Sequence, residues 1–338
     1  MSSRETNLQV LLHLGFAAVA LLGTDVAIAQ HGGTPATPAT RAAFEARSGV
    51  VALGKQWNAQ VNAETLKLYT ELQREVDSSG IKQISNLRYG PHEQQTFDLF
   101  VPEGGFSEPS TVLVYLHGGG LTRGDKNAEG SDGLIYGNVG RWIARIGGLG
   151  INANYRLVPD AQWPSGAEDI RLLLEWVLEN IGPYGGDPNN VVLMGNSAGA
   201  TLVATYLFHE PSQFDDGPGI TAAILSSGAF GEAPESDAAL AYFGEGETGI
   251  GRMPLNLVDT YQGRAVPILL WSAEYDVPSI ETGVAEMYAK LCRKYEDCPM
   301  FVQFQGHNHV SHVMSIDSAD TEAASSIMRF YHSVIDRR

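Results

Sequence analysis

From Ala42 to about Asp77 the apolar positions recur at helical spacing, most clearly in AETLKLYTELQREV, which predicts amphipathic helix. The period then changes. In ISNLRYGPHEQQTFDLFVP apolar and polar residues alternate around a Gly-Pro turn, as in an antiparallel hairpin. STVLVYLH (110–117) is a short, nearly continuous apolar run of the kind carried by a strand buried on both faces. GGLGINANYR (147–156), VVLM (191–194), GITAAILSS (219–227), VPILLWSA (266–273) and MFVQFQ (300–305) are further strand candidates. Helical segments lie between several of them. Ala167–Ile181, for example, places Ile170, Leu173, Leu174, Val177 and Ile181 on one face. Strands alternating with amphipathic helices predict an α/β fold, a mostly parallel sheet covered on both faces. There is no internal repeat and no second-domain linker. A single domain is expected over 42–338, after a flexible Gly/Pro/Thr-rich lead-in over 30–41, with the irregular Gly/Glu-rich stretch 229–258 as an insertion above the sheet.

The N-terminus changes the compartment. Val10–Gly23 is apolar (VLLHLGFAAVALLG) and Ala27-Ile28-Ala29 follows as a small-x-small signature, so residues 1–29 read as a secretory signal peptide cleaved near Ala29. The apolar run is shorter than the ~20 residues that span a bilayer, and no stable membrane insertion of the mature chain is expected. Export gives meaning to the two cysteines. Cys292 and Cys298 lie six residues apart, and a bridge between them would persist in an oxidising periplasmic or extracellular compartment. The formal net charge of −17 argues against a nucleic-acid partner, because no basic patch is available to displace counterions from phosphates.

Gly195-Asn196-Ser197-Ala198-Gly199 matches G-x-S-x-G, and its surroundings raise its weight: a buried strand, VVLM, precedes it and a helix-forming run, GATLVATYLF, follows. That is the setting in which a strained elbow exposes a serine hydroxyl. His117-Gly118-Gly119-Gly120 directly follows a second strand, where backbone N–H groups of Gly118 and Gly119, with that of Ala198, can form an oxyanion hole. A serine hydroxyl needs a base and an orienting acid. Glu274 and Asp276 follow the strand VPILLWSA, with Asp276 at the loop where the acid belongs and Glu274 at the strand edge. His307, His309 and His312 compete for the base in the loop expected after MFVQFQ. Their H-x-H-x-x-H spacing also permits a metal reading, although the cluster itself holds no carboxylate to act as base.

The motifs HGGG (117–120), YRLVP (155–159), WPSGAEDI (163–170), GGDP (185–188) and GNSAG (195–199) together resemble the α/β-hydrolase carboxylesterases, in particular the hormone-sensitive-lipase-like branch with its bacterial esterases. The resemblance runs from about Leu87 to the C-terminus. It implies an eight-stranded α/β-hydrolase sheet, with N-terminal helices and the 229–258 insertion forming a cap. It implies Ser197 as nucleophile, Asp276 as acid, His309 as base in preference to His307, and Gly118, Gly119 and Ala198 as oxyanion donors. Val277 before Pro278 departs slightly from the family's acid segment. The implied reaction is ester hydrolysis through an acyl-enzyme on a small-molecule substrate, with no metal or organic cofactor. An amidase, arylformamidase or peptidase on the same fold and a non-catalytic binding protein are the alternatives. Acyl-chain length, alcohol part and oligomeric state are left open.

Overall fold

The apolar runs become the middle of one eight-stranded sheet. The computed structural model describes residues 37–335. In chain order the elements begin with α1 (Pro38–Leu53), α2 (Ala59–Arg74), β1 (Ile81–Arg88), β2 (Thr96–Pro102), β3 (Ser110–Leu116), α3 (Gly137–Arg145), β4 (Leu149–Ala153) and α4 (Ser165–Asn180). They continue with β5 (Gly186–Asn196), α5 (Ala198–Phe208), β6 (Ala222–Ser226), α6 (Asp237–Phe243), α7 (Gly246–Arg252), α8 (Pro254–Thr260) and β7 (Ile268–Tyr275). The last are α9 (Pro278–Tyr295), β8 (Met300–Asn308), α10 (Ser311–Met314) and α11 (Glu322–Ile335).

The strand order is β1-β2-β4-β3-β5-β6-β7-β8. β2 pairs antiparallel with β1 and β4, and every pair from β4 to β8 is parallel. The central strands sort their side chains by the two-residue period of the pleat. In β5, Val191 and Leu193 enter the core shared with α4, α5 and α9, while Val192 and Met194 enter the core under α3 and α11. β3 and β7 divide in the same way. A strand apolar at every position has no face to give to water, so it takes the middle of the sheet. A third, smaller core joins α1 and α2 to Ile135, Val310 and Met314, and so seats the N-terminal helices on the chain that follows β8.

Three expectations need correction. The lead-in does not extend to residue 41: α1 starts at Pro38, with Thr37 as its N-cap accepting the Thr40 N–H at 3.1 Å. Threonine before proline suits a linker by composition but a helix start by position, because proline loses nothing at the first turn. β8 does not stop at Gln305. It bulges at Gly306, where φ is +71° and the N–H is held by Glu274 Oε2 at 2.7 Å, and resumes with Asn308 paired to Tyr275. His307 is therefore a strand residue. The 229–258 stretch is not loose either: it folds into α6–α8, whose Leu255, Leu257 and Val258 are buried beside α5. The signal-peptide expectation over 1–29 lies outside the described residues. Among the described residues no helix is long and apolar enough to cross a membrane. The sulfurs of Cys292 and Cys298 lie 2.18 Å apart where α9 gives way to β8.

Candidate active site

The parallel strands end on one side of the sheet, and the candidate residues emerge from the ends of β3, β5, β7 and β8. Ser197 sits in the turn between β5 and α5 with φ 54° and ψ −121°, a conformation that L-residues avoid unless their surroundings enforce it. The flanking glycines make the turn possible. A Cβ on Gly195 would lie 2.4 Å from the Gly199 backbone, and one on Gly199 would lie 2.3 Å from the Leu116 carbonyl oxygen. The tightness of the elbow thus forbids a side chain at positions 195 and 199.

His309 Nε2 lies 2.8 Å from Ser197 Oγ, and its Nδ1 lies 2.7 Å from Asp276 Oδ1. Because a carboxylate only accepts, Nδ1 carries the hydrogen and the Nε2 lone pair faces the serine hydroxyl. Asp276 is 2 % exposed. It also accepts the Ser227 hydroxyl at 2.6 Å and the Val277 N–H at 2.9 Å. Burial alone would raise its pKa, but the His309 imidazole and these hydrogen bonds outweigh that and hold the carboxyl below its usual value. The group is thus ionised beside the imidazole, as an orienting acid must be. Glu274, the competing carboxylate, is committed to the Gly306 bulge.

The glycine loop meets the serine from β3. A Cβ on Gly118 would stand 3.1 Å from Ser197 Cβ, so this backbone borders Ser197. His117 is buried, and burial lowers its pKa to about 4, so it is neutral at physiological pH. Its Nδ1–H donates to the Gly118 carbonyl at 2.6 Å, and its own carbonyl accepts the Tyr155 hydroxyl at 2.8 Å. Turning the Gly118 carbonyl toward His117 turns the Gly119 N–H the opposite way across the same planar peptide. Ala198 is the first residue of α5, where a backbone N–H has no partner within the helix. These groups can stabilise an oxyanion.

Ser197, His309 and Gly118–Gly120 open onto a cleft of about 750 Å³. Its other walls are Trp57 and Asn58 from the α1–α2 connection and Asn62 and Leu66 from α2, with Arg123, Tyr136 and Met314. The Trp57 ring meets His309 edge-on at 5.0 Å. The 229–258 stretch contributes no residue to this lining, so of the two segments expected to form a cap only the N-terminal one reaches the cleft.

The three histidines do not converge on one point. His309 serves Ser197. His307 Nδ1 lies 3.0 Å from Ser311 Oγ and its Nε2 3.3 Å from Asp320 Oδ2. His312 binds Ser226 and the Asn308 carbonyl. Each of the three rings is thus turned to a different partner. His307, Asp320 and Glu322 do come close enough to hold a cation. The Arg47 guanidinium already fills that role, bonding Asp320 and lying 3.1 Å from Glu322. Ser227 and Trp57 were not singled out in the sequence; a serine at a strand end and a tryptophan before a helix carry no local signature.

Comparison with known proteins places these features in context. The BD-FAE family model matches residues 97–219. Esterase B1 of Culex pipiens is 34% identical over 128 residues, 37% of this chain and 24% of that protein. Cholinesterase of Mus musculus is 37% identical over 125 residues, 36% of this chain and 20% of that protein. The matched region thus spans about a quarter or less of these relatives. Among solved structures, esterase B from Lactobacillus rhamnosis superposes with a TM-score of 0.63 at 17% identity, covering 86% of this chain and 95% of that one.

Proposed function

We propose that this chain is a carboxylesterase of the hormone-sensitive-lipase-like α/β-hydrolase type, a serine hydrolase that cleaves carboxylic esters through an acyl-enzyme; the family model over residues 97–219 and the esterase fold support that reading. The observation that carries the reading is the continuous hydrogen-bonded line from Ser197 through His309 to Asp276, opening beside Gly118 onto a cleft. Ser197 Oγ attacks the ester carbonyl as His309 Nε2 takes its proton. Asp276 holds the ring in the correct tautomer and stabilises the imidazolium. The N–H groups of Gly118, Gly119 and Ala198 receive the oxyanion. His309 then returns the proton to the leaving alcohol. Water, activated by the same histidine, releases the acid. The cycle needs neither metal nor organic cofactor.

The chain is proposed to be exported after cleavage near Ala29, with Cys292 and Cys298 oxidised. A small neutral ester suits a cleft in so acidic a chain better than an anionic one. Labelling with a fluorophosphonate probe tests the reading: it should mark the wild type and vanish in Ser197→Ala. A panel of 4-nitrophenyl esters from acetate to long chains, with an aryl ester and an anilide added, separates esterase from amidase. An unlabelled, folded wild type would overturn the proposal in favour of a binding protein.

A further inference from the structure

The proposed reaction uses one of three clustered histidines, which leaves His312 to be explained. His312 is completely buried. Its ring stacks on Phe304 at 5.3 Å and meets Trp271 edge-on at 5.8 Å. An apolar side chain would suit such a position better, unless both ring nitrogens find partners. Both do. Nδ1 lies 3.1 Å from the Asn308 carbonyl oxygen and Nε2 lies 2.6 Å from Ser226 Oγ. Because a carbonyl cannot donate, Nδ1 carries the hydrogen and Nε2 accepts the Ser226 hydroxyl proton. Ser226 Oγ in turn accepts from Asn196 Nδ2 at 3.1 Å. Every hydrogen in this chain of bonds has one assignment, and the assignment requires a neutral ring. Burial, with His307 nearby, depresses the His312 pKa to about 3, and Asp276 and His309 are the other titratable groups acting on it.

The two ends of the chain of bonds matter. Asn196 immediately precedes Ser197, and Asn308 immediately precedes His309. Asn196 and Ser226 are register partners on adjacent strands, and the Ser226 carbonyl accepts the Ser197 N–H at 2.9 Å. Asn196 Nδ2 also lies 3.4 Å from the His309 carbonyl oxygen. Behind the reacting atoms there is therefore a second connection between nucleophile and base, made wholly of buried groups.

We propose that His312 is a positioning residue: through Ser226 and the Asn308 carbonyl it fixes the backbone that carries His309 relative to the backbone that carries Ser197. This rests on the assignment of Ser197, Asp276 and His309 made above. A base displaced by about 1 Å can lose about 100-fold in rate, so a rigid tie between the two arms has a large effect without touching substrate.

The test compares full-length wild type, Ser197→Ala, Ser226→Ala, His312→Asn and His312→Phe on 4-nitrophenyl acetate, with active sites counted by fluorophosphonate titration. His312→Phe should lower kcat per titrated site by about 10- to 100-fold, leave KM within about twofold, and move the acid limb of the kcat/KM profile. Ser226→Ala should change the same quantities in the same direction, and the double variant should be no slower than His312→Phe alone, since both cut one connection. His312→Asn, whose amide can still donate to the Asn308 carbonyl, should recover part of the loss. Folded variants whose kcat per site stays within about twofold and whose acid limb does not move, with only Tm lowered, would overturn the proposal and leave His312 a packing residue. If His312→Phe fails to fold, Ser226→Ala decides alone. A wild type that neither turns over nor labels overturns the triad reading and this proposal with it; an active wild type and dead Ser197→Ala beside a normal Ser226→Ala overturn this proposal only.

Discussion

Two helical additions accompany the sheet of this protein, α1–α2 before it and α6–α8 within it, and they are put to different uses. The N-terminal pair faces the cleft. It supplies Trp57, Asn58, Asn62 and Leu66 to the walls and grips the chain around His309 with polar groups. Thr65 Oγ1 accepts from Asn308 Nδ2 at 2.8 Å, Gln73 Nε2 donates to the Met314 and Ile316 carbonyls, and Arg47 binds Asp320. The internal insertion instead buries Leu255, Leu257 and Val258 against the main core and leaves the cleft untouched. Polar contacts with defined direction suit an element that must hold a reactive loop in one place. The insertion's own directed contacts, such as Tyr242 Oη accepting the Gly166 N–H at 2.9 Å, tie it to α4 rather than to the loop that carries His309.

The comparison can be broken by substitutions on either side, measured against the centre itself. His309→Ala should reduce turnover by about 10⁴-fold or more, whereas His307→Ala should retain measurable turnover, because its ring faces Ser311 and Asp320 rather than the nucleophile; a dead His307→Ala with an active His309→Ala would reassign the base. In the insertion, Leu255→Ala should cost about 2–5 kcal/mol of stability while kcat/KM of the folded enzyme holds within about twofold. A large kinetic defect there would show that α8 reaches the cleft after all.

On the N-terminal side, Asp320→Asn should cost about 1–2 kcal/mol, read as a lowered Tm. Burial would raise the Asp320 carboxyl, but His307 and Arg47 outweigh it and hold the pKa below the ordinary aspartate value. Its contribution is therefore full above about pH 4 and is lost as pH falls through the lowered native value. The Tm gap between wild type and Asp320→Asn should accordingly close in acid; a gap independent of pH would mean that the carboxylate charge is not what holds α1. The smallest effect is expected from Trp57→Ala, a change of about tenfold in relative kcat/KM across an ester series with little change in Tm. Uniform loss on every ester would make Trp57 a support for His309 rather than a wall of the substrate site.

Much of this molecule was legible in its sequence because the relevant signals are local. A strand apolar at every position and a helix apolar on one face announce themselves within ten or fifteen residues, and together they specified an α/β sheet. The G-x-S-x-G turn is likewise local: Gly195 and Gly199 are required by contacts within the elbow and with the adjoining strand. Composition misled where position mattered, at the start of α1 and in the Gly/Glu-rich stretch that folds into α6–α8. The end of β8 was misjudged because a glycine that reads as a loop is also what a bulge needs.

The roles of the acidic and histidine clusters belong to a different level. Glu274 and Asp276, or His307, His309 and His312, have similar chemistry and nearly identical sequence surroundings. They are told apart by which residue lies opposite, and those partners come from strands 33 to 112 residues away for His309. The sequence alone determined the layered fold and the tight elbow at Ser197, since both follow from periodicity and from steric demands inside a few residues. For acid and base the sequence supplied candidates, with Asp276 and His309 favoured by resemblance; the tertiary structure set which imidazole lies against Ser197, which carboxylate lies against that imidazole, and which residues wall the cleft. Those depend on sheet register, such as the pairing of Asn196 with Ser226, and register is fixed by the packing of the whole sheet.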